Sequence, residues 1–333
     1  MVTGARRTVA VVGGGQLGSR YLQGLAACRN PLDVAVVDPD PSSLDVCRSR
    51  WTQAGGAESD HRLSLTGSAV NLASQLDLAI ISTTAGIRTM VVEELSGHAR
   101  VGSWLLEKVL AQDLTELDRI AVAVGEDAAW VNTWARTTQW FRQIGAHLGS
   151  GPHAIEVTGG SWGLACNAIH FLDLVGWWTG EGLDIVDASK LDRPWLAAKR
   201  TDHVELSGQL MARFDGGSTV GLSSSPPSSA GDPAGMDAPE LMTIRSPVGT
   251  WRIEDPMSET LGLATDDAGL RIEGRIEYQS ERTPGLVDAI LDTGQCDLPD
   301  LASSIDLHRR FLTGLLEARP FLEGVPEDRV PIT

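Results

Sequence analysis

The chain opens with short apolar runs that alternate with stretches of helical spacing. Thr8–Val12 has the length and apolar character of a buried strand. A helix is predicted from Gln16 to about Cys28, where Leu17, Tyr21, Leu22 and Leu25 recur at helical spacing. Val34–Val37 reads as a second strand. Pro41 suits the first position of a helix over Pro41–Arg50. Leu78–Ser82 and Val101–Leu106 are two more strands. Strands alternating with helices predict βαβ units and a parallel, doubly wound sheet.

The pattern changes after about Gly125. Ala129–Trp134 reads as a strand, Thr137–Leu148 as an amphipathic helix, Ala154–Gly159 as a strand and Asn167–Trp178 as a strongly apolar helix. Between Asp202 and Glu277 the chain is strand-rich, with candidates at Val204–Phe214, Ser218–Ser223, Leu241–Arg245 and Thr250–Ile253. Asp215-Gly216-Gly217 is a hairpin turn signal. Ser223–Pro239, rich in Ser, Pro and Gly, reads as a long exposed loop. Two helices close the chain, about Gly285–Leu291 and Leu301–Glu317. The predicted class is α/β: an N-terminal Rossmann domain over 1–125, then an α+β domain over 126–333 with a mostly antiparallel open sheet. Two domains suit 333 residues.

Charge narrows the partners. There are 27 Lys and Arg against 44 Asp and Glu, a formal net charge of -17. That balance argues against a nucleic-acid backbone or an anionic membrane surface as partner, and does not exclude a local basic pocket for an acidic small molecule. The longest apolar runs fall far below the ~20 residues that span a bilayer. The stretch from Met1 is too short for a secretory signal. Cys28, Cys47, Cys166 and Cys296 are scattered without metal or redox spacing, so no metal site is expected and the cytoplasm is the simplest compartment.

The first chemical motif follows the first strand. Gly13, Gly15 and Gly18 fit G-x-G-x-x-G, with Gln16 and Leu17 opening the helix. In this motif the first glycine makes a tight turn, the second admits a pyrophosphate and the third lets helix pack on strand. The helix N-terminus offers free N–H groups and a positive dipole end to the anion. Asp38 ends the second strand 20 residues beyond Gly18. A carboxylate there accepts hydrogen bonds from ribose hydroxyls and repels an extra phosphate, which favours NAD over NADP. Thr83 and Thr84, at the exit of a later strand, join the expected cofactor set.

Two further segments carry candidate chemistry. Glu107-Lys108 closes the Val101–Leu106 strand. Ligands of open α/β sheets bind outside the carboxyl ends of strands, so Lys108 is placed to polarise a substrate oxygen or pass a proton. A surface lysine at a strand end is the plain alternative. Asn167, His170 and Asp173 are the polar exceptions on the apolar helix and lie near one face. A histidine there needs a partner or a job, and imidazole suits proton exchange with an alcohol. A core histidine bonded to Asp173 or to backbone is the alternative. Lys199 and Arg200 read as a solvated strand end more than as an anion site. Trp130, Trp134, Trp162, Trp177, Trp178 and Trp195 read mainly as core or interface anchors.

Together these segments resemble the glucose–fructose oxidoreductase / inositol dehydrogenase (Gfo/Idh/MocA) family. The resemblance rests on Gly13–Gly18 with Asp38, on Leu106-Glu107-Lys108 and on His170-Phe171-Leu172-Asp173, and it covers nearly the whole chain. It implies NAD(P)-dependent oxidation of a hydroxyl on a sugar, nucleotide sugar or polyol. It implies Glu107 and Lys108 as cofactor contacts, Lys108 and His170 as the proton-handling pair, and a homodimer or homotetramer through the C-terminal sheet. In this chain Val109 stands in place of the family's proline after Lys108. Cys166 replaces an aspartate four residues before the histidine, with Asn167 as the adjacent polar candidate. Arg88 stands where many members have a histidine, and with Lys199 and Arg200 is a candidate to offset the net acidity locally. Two alternatives remain at this point: a biosynthetic imine or keto reductase, and a non-catalytic NAD(H)-binding sensor.

Overall fold

The computed structural model describes residues 6–228, 234, 235 and 237–333. Residues 1–5 and part of the expected Ser223–Pro239 loop lie outside that range. The chain forms two compact units. The first comprises Met1–Leu110, Glu116–Asn132 and Glu277–Ala302, and the second Ala111–Thr115, Thr133–Ile276 and Ser303–Thr333. The sequence predicts a single boundary at residue 125. The chain instead passes between the units several times, and residues 277–302 rejoin the first.

The first unit is built on a parallel sheet. Its elements in chain order are β1 (Arg7–Val12), α1 (Gln16–Leu25), β2 (Leu32–Val37), α2 (Pro41–Gln53), β3 (Arg62–Thr66), β4 (Leu78–Ile81), α3 (Ala85–His98), β5 (Ser103–Leu106), α4 (Leu114–Val124) and β6 (Ala128–Val131). The strands lie in the order β3-β2-β1-β4-β5-β6, all parallel. Central strands β1, β4 and β5 are apolar on both faces because helices cover both, as expected for a buried parallel sheet. The sequence reading ends this sheet at Leu106. Its true edge is β6, and Trp134, expected to extend that strand, instead opens a one-turn 3-10 helix.

The second unit follows with α5 (Gln139–Gly145), β7 (Ala154–Gly159), α6 (Leu164–Thr179), β8 (Leu183–Leu191), β9 (Gly208–Phe214), β10 (Thr219–Ser224), β11 (Pro239–Ser246), β12 (Gly249–Glu254), β13 (Gly262–Asp266) and β14 (Arg271–Gly274). These eight strands form one sheet in the order β8-β9-β10-β7-β11-β12-β13-β14, antiparallel except where β10 pairs β7. The expected strand Val204–Phe214 is broken. Gly208 adopts φ +95°, and a Cβ there would lie 2.6 Å from the Lys190 carbonyl oxygen, so β9 starts afresh at this glycine. Strands β8, β13 and β14 were not foreseen: their Asp, Glu, Gly and Lys content masks a weak alternation.

Two helices complete the chain, α7 (Gln279–Thr293) and α8 (Leu301–Ala318). Helix α7 packs along α1 in the first unit. Gly24 makes this approach possible, because a Cβ there would fall 2.6 Å from both the Ser280 carbonyl oxygen and Thr283 Cβ. Asp288 and Asp292 of α7 accept hydrogen bonds from Arg29 and Asn30 just beyond α1. Leu286, Val287 and Ile290 join Tyr21, Leu22 and Leu25 in the core. A Gly24→Val variant is therefore expected to lose about 1–3 kcal/mol in urea unfolding, the usual cost of overpacking. Unchanged stability would mean that α7 is not seated on α1 in solution.

Candidate functional site

The glycine loop connects β1 to α1 at the carboxyl edge of the parallel sheet. Each glycine has a separate physical reason. Gly13 has φ +98°, a conformation that L side chains avoid. Gly18 lies so close to the loop that a Cβ would stand 1.7 Å from the Gly13 carbonyl oxygen. Gly15 is the opposite case: a Cβ there would meet no protein atom within 4 Å, so the space in front of it is open. It is also the N-cap of α1, and no side chain caps the helix and no acid lies in its first turn. The positive end of α1 is thus left to an external anion.

Asp38 sits just beyond β2. Its Oδ2 accepts from the Gly14 N–H at 2.7 Å and its Oδ1 from the Asp40 N–H at 2.9 Å. The two bonds hold the carboxylate beside the glycine loop, and its other lone pairs remain for further donors. Beneath the loop, Cys47 Sγ contacts the Gly14 carbonyl oxygen at 3.2 Å. Burial pushes the Cys47 thiol up to about 11, with Asp38 adding to the effect, so it stays protonated. Arg50 bonds the Gln16 carbonyl and side chain and Ser19 Oγ, tying α2 to the start of α1. Thr83 and Thr84 leave β4 on the same edge. Thr84 caps α3 without a side-chain bond, and the buried Thr83 Oγ1 has no hydrogen-bond partner. An open glycine cradle, a placed carboxylate and an unsatisfied hydroxyl suit a dinucleotide.

The Glu107-Lys108 turn follows β5. Glu107 is only 3% exposed. Its Oε1 accepts from the Tyr21 hydroxyl at 2.5 Å and from Asn132 Nδ2 at 2.6 Å. Burial, then the Glu107 carboxylate, drives the Tyr21 phenol well above its ordinary value, so it is a fixed O–H donor. Lys108 is half-buried, and the Lys108–Val109 peptide is cis. Arg88, expected as a local offset for an anionic substrate, is instead buried. Its guanidinium donates to the backbone carbonyls of Val109, Leu110 and Thr83, satisfying groups that the two strand exits leave open. Its charge is committed to shaping the turn.

In the second unit α6 carries the other candidates. Gly163, with φ +78°, precedes the helix, and Asn167 Nδ2 donates to the Trp162 carbonyl oxygen at 2.9 Å, closing this turn. Buried Glu205 accepts from the Ala165 N–H at 2.6 Å and so supplies a negative group to the helix N-terminus. His170 is 1% exposed and lies against Trp134, with ring centroids 4.6 Å apart. Asp173, one turn on, accepts from Thr133 Oγ1 at 2.8 Å and pairs with Arg136 Nε at 3.3 Å. Burial raises the Asp173 carboxyl to about 6 against the opposing pull of Arg136 and Thr133. Arg136 and Arg142 also flank the ring of Trp177. Trp130, Trp162 and Trp195 are buried core, whereas Trp134, Trp177 and Trp178 are half-buried. Lys199 and Arg200 are exposed, as the plainer reading expects.

The structure thus gathers Gly13, Gly15, Gln16, Leu17, Gly18 and Asp38 at one loop, with Thr83, Thr84, Glu107 and Lys108 on neighbouring strand exits of the same unit. Asn167 and His170 belong to the second. Tyr21, Asn132, Gln279 and Arg282, which surround Glu107, were not singled out by sequence. The only signal was Glu107 itself, a carboxylate at the end of an apolar strand that burial obliges to find partners. Among the described residues no group of His, Cys, Asp and Glu is arranged to hold a metal ion, and no helix is long and apolar enough to cross a membrane.

The chain carries a six-stranded parallel sheet and an eight-stranded, mostly antiparallel sheet. No family model matches the chain, and no curated protein sequence matches it. Solved structures do. Scyllo-inositol dehydrogenase from Lactobacillus casei, with bound NAD(H) and scyllo-inositol, matches with a TM-score of 0.64 and 14% identity, covering 95% of this chain and 97% of that one. UDP-N-acetylglucosamine 3-dehydrogenase from Acidithiobacillus ferrooxidans matches with a TM-score of 0.66 and 17% identity over 95% and 97%. A super-repressor mutant of Gal80p from Saccharomyces cerevisiae matches with a TM-score of 0.70 and 11% identity over 94% and 96%. At such identities the likeness establishes the fold.

Asp173 yields a pH prediction. Its folded value, about 6, exceeds the unfolded 3.8, so keeping it folded favours the protonated form. The stability that goes with protonation is complete below about pH 4 and is lost as pH rises through 6. Two units correspond to about 3 kcal/mol. Asp173→Asn is therefore expected to gain stability relative to wild type as pH rises from 4 to 7. A constant difference across urea titrations in that range would refute the assignment.

Proposed function

We propose that this chain is an NAD-dependent oxidoreductase that moves hydride between nicotinamide and a hydroxyl or keto carbon of a sugar, nucleotide sugar or polyol-like molecule. The observation that carries the reading is the glycine loop. Gly13 and Gly18 are demanded by the protein's own packing, whereas Gly15 faces open space at an uncapped helix end. Asp38 beside it would take the adenosine ribose hydroxyls and oppose a 2′-phosphate. The fold shared with scyllo-inositol dehydrogenase and a UDP-sugar 3-dehydrogenase supports the choice of substrate class.

When bound, the nicotinamide supplies the hydride acceptor or donor. The protein's part is to bind, orient and move a proton. The first-turn N–H groups of α1, with Gln16 and Leu17, would hold the pyrophosphate. Thr83, Thr84 and Glu107 belong to the strand exits that frame the cofactor. Proton handling is assigned to two groups, Lys108 in the first unit and His170 in the second. Asn167 is the further polar group on the His170 helix. A second reading, a non-catalytic NAD(H)-binding regulator, draws support from the Gal80p fold match and from Cys166 in place of a carboxylate near His170.

NADH and NADPH titrations followed by nicotinamide fluorescence test the cofactor. NADH is expected to bind at least about tenfold tighter, a difference of about 1.4 kcal/mol, and Asp38→Ala should narrow that ratio. Preference for NADPH would overturn the role of Asp38. In a sugar and polyol screen, Lys108→Ala and His170→Ala should each lower kcat by about 10²–10⁴-fold while leaving NADH affinity nearly intact. Near wild-type kcat in either variant would remove that residue from proton handling. Tight NADH binding with no turnover on any substrate in either direction would favour the regulator.

A further inference from the structure

Glu107 is one end of a buried polar chain that the hydride-transfer reading leaves without a purpose. An ionised carboxylate 3% exposed is costly unless it is fully bonded. Its Oε1 takes the Tyr21 O–H and one N–H of Asn132. The same Asn132 nitrogen lies 2.8 Å from Gln279 Oε1, and Gln279 Oε1 also accepts from Arg282 Nη2 at 2.9 Å. Asn132 Nδ2 also lies 2.6 Å from the Tyr21 hydroxyl oxygen, so its two hydrogens are shared among Glu107, Gln279 and Tyr21. Arg282 is half-buried, and besides Tyr21 its charge faces the carboxylates of Glu107, Glu277 and Glu281. The chain therefore runs from α7 through Gln279 and Asn132 to the residue that immediately precedes Lys108. Every member belongs to the first unit.

We propose that Gln279, Asn132 and Tyr21 are positioning residues for Lys108: they fix the Glu107 side chain and so the turn that presents the lysine. This rests on Lys108 being the proton-handling group proposed above. The turn is held from two sides, by this chain at Glu107 and by Arg88 at the Val109 and Leu110 carbonyls. Helix α7 is held on α1 separately, by Gly24 and by the Arg29, Asn30, Asp288 and Asp292 contacts. Removing the Gln279 amide thus loosens the chain without releasing the helix.

The sequence supplies an uncommon probe. Lys108, Lys190 and Lys199 are its only lysines, and the latter two are exposed. Reductive methylation of the full chain with ¹³C-formaldehyde gives three lysine signals besides the N-terminus, two of them internal controls. In Gln279→Leu and Tyr21→Phe, the Lys108 methyl signal is expected to move toward those of Lys190 and Lys199, and its displacement on adding NADH to shrink. NADH affinity should stay within about twofold, because the glycine loop is untouched. Gln279→Glu restores an acceptor to Asn132 and Arg282 and should recover the wild-type signal, which a general loosening would not allow. A Lys108 signal identical in wild type, Gln279→Leu and Tyr21→Phe would overturn the proposal. If Gln279→Leu does not fold, Tyr21→Phe, which keeps its ring in the core, decides it. Failure of the wild type to bind NADH would remove the cofactor reading alone, because the nucleotide-free spectra still decide the positioning.

Discussion

The contact between Gly18 and the Gly13 carbonyl sets everything that follows in the first unit. With no side chain at Gly18, α1 lies directly on the glycine loop. That closeness fixes where the rest of the helix goes. Tyr21, one turn on, reaches Glu107, and Gly24, a turn further, lies under α7. Positions 18, 21 and 24 share a face by helical spacing. One face of one ten-residue helix thus receives the loop, braces the Glu107-Lys108 turn and seats a helix from the far end of the chain. A side chain at Gly18 would disturb all three.

That arrangement separates binding from chemistry by residue type. The glycine loop is mostly backbone: open N–H groups and a glycine facing empty space, with one carboxylate pinned by the loop's own amide. Such a site is rigid because it has few rotatable parts. The candidate chemical groups are long or ring side chains that packing must hold still. Lys108 is reached through Glu107 and Arg88. His170 is held against Trp134, with Asp173, Thr133 and Arg136 one turn away. In both places a buried charge is neutralised within a few ångströms, as interior charges require.

Legibility in the sequence follows the same division. The glycine loop, Asp38 and strands β1, β2, β4 and β5 could be read because local rules dictate them: a glycine for φ, an apolar run for a doubly covered strand, an acid at a fixed distance; β3, with its alternating polar residues, was missed. Glu107, Lys108 and His170 could be located but not explained, since their partners lie far off in sequence. Asn132 is 25 residues from Glu107 and Gln279 lies 147 beyond Asn132. Nothing local marks α7 as part of the first unit; the only clue was Gly24 inside a helical pattern. Strands β8, β13 and β14, at the two ends of the sheet order, escaped because their polar residues suit a solvated face. Val204–Phe214 was read as one strand because alternation does not reveal that Gly208 turns the chain away from its first partner.

The cradle alone does not separate an enzyme from a nucleotide-sensing protein, since both need the loop and Asp38. The difference lies in groups that binding does not require. Burying an imidazole in an apolar helix costs desolvation, and a carboxylate raised to about 6 costs stability at neutral pH. A further buried cluster surrounds the residue before Lys108. Buried polar networks also rigidify a fold, but a protein that moves a proton has a direct use for such groups as donor and acceptor. The placement of costly polar groups at two of the expected chemical positions therefore weighs toward catalysis. Cys166 weighs the other way only if a carboxylate must orient His170, and Trp134 already fixes that ring from one face.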